Sequence, residues 1–128
     1  MPDAGIDGTM NALYVAAGSA LGGVCRYLFS LALNAPTGFP WGTFAVNVAG
    51  SLAIGVLSGW LAHGTAHAAA IRAFSVVGFC GGFTTFSTFS NEALGMLENS
   101  QGAMFAVYVA ASVCSGVAGV WLGYLISR

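Results

Sequence analysis

Gly78-Phe79-Cys80-Gly81-Gly82-Phe83-Thr84-Thr85-Phe86-Ser87-Thr88-Phe89-Ser90-Asn91 lies inside a long apolar segment and decides how the chain is built. It holds a glycine pair, five hydroxyls, one amide and four phenylalanines. Glycines at that density loosen a helix, and hydroxyls in lipid need hydrogen-bond partners. The combination points to a helix broken near Gly81-Gly82 and lining something polar. Past the break, Thr84, Ser87, Thr88 and Asn91 recur at i, i+3, i+4 and i+7 as a polar stripe, with Phe86 and Phe89 on roughly the opposite face. The competing reading is packing alone, with phenylalanines in lipid and hydroxyls bonded back to helix carbonyls.

Composition places this stretch in a membrane. Of 128 residues, 57% are hydrophobic and 5% charged, against roughly 25% charged in soluble domains. Lysine is absent, the basic residues are Arg26, Arg72 and Arg128, and the net charge is -1. Such a chain offers no basic surface, which excludes nucleic acid as a partner. Cys25, Cys80 and Cys114 all fall in apolar segments at spacings that match no metal site. They read as small buried hydrophobes. Asp3 and Asp7 precede the first apolar segment and no basic residue does. That segment lacks the positive start of a secretory signal and is expected to stay as a span.

The expected fold is an all-α integral membrane protein. A polar tail covers 1–9 and a single four-helix domain covers 10–128, with spans at 10–33, 42–62, 68–97 and 102–126. About 20 apolar residues cross the hydrocarbon core, so the third span is too long to be straight and must tilt, bend or protrude. The pairs Gly18/Gly22, Gly55/Gly59 and Gly119/Gly123 have the spacing that lets helix backbones approach closely.

Polar residues recur on single helix faces. Thr43, Asn47, Gly50 and Ile54 share one, and Tyr108, Ser112, Ser115 and Gly119 share another. Asn47 in mid-membrane either glues helices or faces a polar pathway. Arg26 either snorkels to headgroups or attracts anions or an acidic partner. Glu92 falls near the membrane boundary or a pore mouth. His63 and His67 end a short loop and read as surface residues rather than metal ligands. Arg72 and Arg128 fall on one side of the membrane and Arg26 on the other, a bias small enough to permit insertion in both directions and hence an antiparallel dimer.

The donors on these faces are neutral hydroxyls and amides, and carboxylates are missing from the membrane centre. Cation paths favour carboxylates or carbonyls, whereas anions favour N–H and O–H donors. Phenylalanine edges carry positive quadrupole charge and attract an anion in the ring plane, while cations prefer the ring face. The chemistry points to a small anion.

Gly18-Ser19-Ala20-Leu21-Gly22-Gly23-Val24-Cys25-Arg26-Tyr27, Trp41-Gly42-Thr43-Phe44-Ala45-Val46-Asn47-Val48-Ala49-Gly50-Ser51 and Gly81-Gly82-Phe83-Thr84-Thr85-Phe86-Ser87-Thr88-Phe89 resemble, in order and spacing, the first, second and third helices of the Fluc (CrcB) fluoride channels. The resemblance covers nearly the whole chain after the tail. It implies a dual-topology antiparallel homodimer in the bacterial inner membrane, with two pores that pass fluoride passively out of the cytoplasm. It implies that Phe86 and Phe89 coordinate fluoride by ring edges and that Asn47 lines the pore. Thr43, Tyr108, Ser112 and Ser115 then resemble a polar track, although Gly116 follows where the track would continue. Arg26 and Glu92 match vestibule or pore-mouth positions. The carbonyls of Gly81 and Thr84, from both subunits, would hold a structural sodium ion. A different class with four short spans and dual insertion is the small proton-coupled drug exporter. It uses a first-helix carboxylate, and none occurs in 10–33. A scaffold without transport is a third reading. No nucleophile–base pair suggests an enzyme.

Overall fold

The computed structural model describes residues 4–36 and 38–128, with side chains from residue 8 onward. Helix α1 spans Ala4–Leu33 and α2 Trp41–Leu61. The third span begins as α3 (Ala68–Ile71), continues as a π-helical segment (Arg72–Cys80) and a last turn α4 (Gly81–Phe83), and resumes as α5 (Phe86–Glu98). Helix α6 spans Gly102–Ser127. Four stretches are long and apolar enough to cross a membrane, Gly8–Leu33, Trp41–Leu61, Ala68–Glu98 and Gly102–Ser127. The protein is therefore a multi-pass membrane protein, all-helical among the described residues.

The first helix starts earlier than an apolar window suggests. Residues 1–3 of the expected tail lie outside the described residues, but Ala4 to Thr9 are already helical. Hydropathy marks where lipid begins, whereas a helix ends only where its backbone is interrupted, and no proline follows Pro2 in this segment.

Two tight helix pairs carry the packing. Helix α1 lies along the π-helical segment and α4, and α2 lies along α6. The glycine pairs explain the closeness. A Cβ on Gly18 or Gly22 would run into the backbone carbonyls of Phe74 or Phe79, and one on Gly55 or Gly123 into those of Val120 or Leu52. In lipid, where apolar side chains gain little from leaving their surroundings, such backbone contact is what holds helices together. Helix α5 has fewer neighbours and rests mainly on α6.

The break differs from the expected one. Gly81 keeps helical angles (φ -62°, ψ -39°), and the extended residues are Thr84 (φ -87°, ψ 157°) and Thr85 (φ -150°, ψ 121°). Gly82 serves packing instead, since its missing side chain leaves room for Ser19, whose carbonyl would be 2.6 Å from a Cβ. The chain opens where another side chain replaces the lost helical bonds rather than where glycine is most pliant.

Candidate functional site

The replacement comes from Asn47 on α2. Its Oδ1 accepts from the Thr85 N–H at 2.7 Å and its Nδ2 donates to the Thr85 carbonyl at 3.1 Å. One amide side chain thus satisfies both backbone groups of the residue at the break, which unpaired in lipid would cost several kcal/mol. Thr85 Oγ1 in turn accepts from the Thr88 N–H at 3.1 Å and caps α5. On the other side of the break, Arg26 Nε donates to the Gly82 carbonyl at 3.1 Å. In an unbroken helix that carbonyl would take the Phe86 amide. Arg26 is therefore tied to the break, and its bond here is to a backbone carbonyl rather than to an acidic side chain among the described residues.

Beside the break lies a pocket of about 260 Å³ lined by Asn47, Thr84, Thr85, Phe86, Phe89 and Ser112, among others. The Phe86 and Phe89 rings are 6.0 Å apart at 42°. Ser112 Oγ is buried without a hydrogen-bond partner among the described residues. An unmet buried hydroxyl costs about 1–3 kcal/mol, and Ser112 holds a donor that no described residue takes.

A second cluster surrounds Glu92. Thr43 Oγ1 donates to Glu92 Oε1 at 2.7 Å, and the Tyr108 hydroxyl donates to Oε2 at 2.7 Å. Thr43 and Tyr108 are fully buried. Two hydroxyls from different helices thus converge on one negative group, as an anion site requires. The Tyr108 ring also lies 5.0 Å from that of Phe89, which joins this cluster to the pocket.

The sequence-derived candidates therefore divide. Asn47, Phe86, Phe89 and Ser112 meet at the pocket, and Thr43, Tyr108 and Glu92 form the second cluster. Ser115 bonds back to the Ala111 carbonyl, so its proton is spent within α6. Thr84 leaves the expected polar stripe because it precedes α5, and its hydroxyl bonds the Cys80 carbonyl at 2.8 Å. Ser87 and Asn91 are exposed. His63 Nε2 lies 3.2 Å from the Ser127 carbonyl. Among the described residues no three His, Cys, Asp or Glu side chains gather as a metal site, and the three cysteines are free thiols.

Three participants escaped the sequence reading. Thr85 was visible as a hydroxyl three residues before an amide needing a cap. Ser51 lines the pocket, four residues after Asn47 on the same helix. Asn34 stands in the α1–α2 connection and contacts Gly42 and Thr43. Its only sequence signal was an amide shortly before a helix that starts after proline.

Comparison with known proteins follows the same residues. The family described as "CrcB-like protein, Camphor Resistance (CrcB)" matches residues 13–124. A protein of Rhodospirillum centenum named "Fluoride-specific ion channel FluC" is 46% identical over 118 residues, covering 91% of this chain and 94% of that one. Proteins of the same name from Methylobacterium nodulans and Flavobacterium psychrophilum are 45% identical over 120 residues and 40% over 117. They cover 93% and 90% of this chain, and 97% and 94% of their own lengths. The span that matches contains the helix break, the pocket and the Glu92 cluster, and by this measure the chain belongs to the CrcB family.

Proposed function

We propose that this protein is a fluoride-selective channel of the bacterial inner membrane that lets cytoplasmic fluoride leave passively. The relatives' name supports the ion. The observation that carries the reading is the open Ser112 hydroxyl in a pocket walled by Phe86 and Phe89. A small, strongly hydrated anion must regain hydrogen bonds when it sheds water, and hydroxyl donors beside ring edges supply that. Asn47 has a second amide proton to offer the path, whereas the hydroxyl protons of Thr43 and Tyr108 are held by Glu92 and that of Ser115 by the Ala111 carbonyl. In this reading Glu92 stands toward a mouth, and Arg26 supports the break from the vestibule side. The drug-exporter alternative gains nothing, since α1 brings no carboxylate from residue 10 to Leu33.

The working unit in this reading is an antiparallel homodimer with two pores. Phe86 is 80% exposed in the single chain, so its ring needs a second surface to complete a coordination shell. A structural sodium fits the break. The Thr85 amide, which a continuous helix would give to the Gly81 carbonyl, goes to Asn47, and the Thr88 amide, due to Thr84, goes to Thr85 Oγ1. Carbonyls freed at a helix break suit sodium, and a Cβ on Gly81 would meet only the Val76 carbonyl, at 3.9 Å, among the described residues. Bound there, the ion would neutralise the carbonyl ends and join two subunits.

Liposome efflux tests the reading. Reconstituted protein should release fluoride and hold chloride; equal chloride release, or no fluoride release from folded protein, would sink it. Replacing sodium throughout purification by N-methylglucamine should lower fluoride efflux if the ion belongs to the structure.

A further inference from the structure

The Glu92 cluster has a fourth member. Helix α2 begins after Pro40, which makes no side-chain cap. The second and third amides of a helix are those that a capping side chain ordinarily takes, and here they belong to Gly42 and Thr43. Asn34, eight residues upstream, accepts from both on Oδ1, at 2.7 Å from Gly42 and 3.4 Å from Thr43. Room for it exists because residue 42 is glycine; a Cβ there would lie 2.7 Å from Oδ1.

Two amide protons facing Oδ1 fix which end of the Asn34 amide points where. Its Nδ2 is left to face Thr43 Oγ1, to which it donates at 3.4 Å. A hydroxyl that accepts in one direction keeps its proton for another, and Thr43 gives that proton to Glu92 Oε1 at 2.7 Å. The donor direction therefore runs one way, from the α2 backbone through Asn34 and Thr43 to the carboxylate, where Tyr108 arrives from the other side. Asn34 and Glu92 also share the wall of a separate polar pocket of about 370 Å³.

We infer that Asn34 is a positioning residue for the anion path. It sets the orientation of the Thr43 hydroxyl, and through it the donor geometry at Glu92, beyond capping α2. The inference rests on the channel reading for its flux readout. Asn34→Asp separates the two tasks, because a carboxylate still caps α2 but has no proton to give Thr43. Asn34→Ser, one bond shorter, reaches neither the α2 amides nor Thr43 and removes both contacts without adding a charge.

Two measurements decide it. Threonine labelled at its methyl carbon reports the Thr43 rotamer by NMR, and liposome efflux reports function. Asn34→Asp should keep a thermal midpoint near wild type and Asn34→Ser should lower it, while both should move the Thr43 signal and slow fluoride efflux by roughly five- to tenfold, the scale of one hydrogen bond. An unmoved Thr43 signal in both overturns the inference, as does a moved signal with efflux at the wild-type rate. If Asn34→Ser fails to fold, Asn34→Asp carries the comparison. Wild-type protein that passed no fluoride would remove the channel reading, while the Thr43 signal would still report the linkage.

Discussion

Tyr108 on α6 gives its phenolic proton to Glu92 on α5 at 2.7 Å, across a sequence separation of 16 residues. The bond ties down the helix that has the fewest neighbours. Tyr108→Phe preserves the ring against Phe89 and deletes one bond to a carboxylate, worth about 1.5–3 kcal/mol. Unfolding of the variant in mixed micelles should show a loss in that range. A variant as stable as wild type would mean that α5 is held by other contacts.

Asn47 makes two bonds to one residue, and its substitutions should rank accordingly. Asn47→Asp keeps the acceptor for the Thr85 amide and loses the donor to its carbonyl. Asn47→Leu loses both, at about 1–3 kcal/mol for each stranded group. Thermal midpoints should fall in the order Asn, Asp, Leu. Equal midpoints for Asp and Leu would show that the donor bond alone matters.

Adjacent glycines on α1 should behave oppositely. Gly22 faces the Phe79 backbone, while a Cβ on Gly23 meets nothing within 4 Å. Gly22→Ala should sharply reduce the yield of monodisperse protein, and Gly23→Ala should leave it unchanged. Comparable yields would mean that α1 shifts away from the third span at little cost.

Phe86→Ile and Phe89→Ile retain apolar bulk and remove the ring edges. Each should lower fluoride efflux by roughly two- to tenfold, the scale of a quadrupole contact worth about 0.5–1.5 kcal/mol, without changing how the protein elutes on a sizing column. Unchanged efflux in both would reduce the rings to packing.

The spans and close-packing glycines were legible because lipid leaves a strong signature on composition. The break was legible in existence but not in place. Glycine density pointed to Gly81-Gly82, whereas the extended residues are Thr84 and Thr85. What fixes them is Asn47, whose partner lies 38 residues away, and no local pattern records that pairing. The same limit hid Asn34. Helical spacing correctly put Tyr108 and Ser112 on one face, but could not show that Tyr108 is turned to Glu92 while Ser112 is left open. Periodicity gives faces, and hydrogen bonds between distant segments give roles.

The discontinuity at Thr84–Thr85 also has an electrical consequence. It ends one helical run after Phe83 and starts α5 at Phe86. Each α-helix carries a partial positive pole at its N-terminus and a negative one at its C-terminus. Opposite poles therefore meet within a few residues, the negative one among the Gly81–Thr84 carbonyls and the positive one at Phe86. A seamless helix would place both ends of this dipole at the hydrated membrane faces, outside the hydrocarbon core. Substitutions that let the helix run straight through Thr84 and Thr85 should thus weaken cation and anion attraction together, because a single gap supplies both signs.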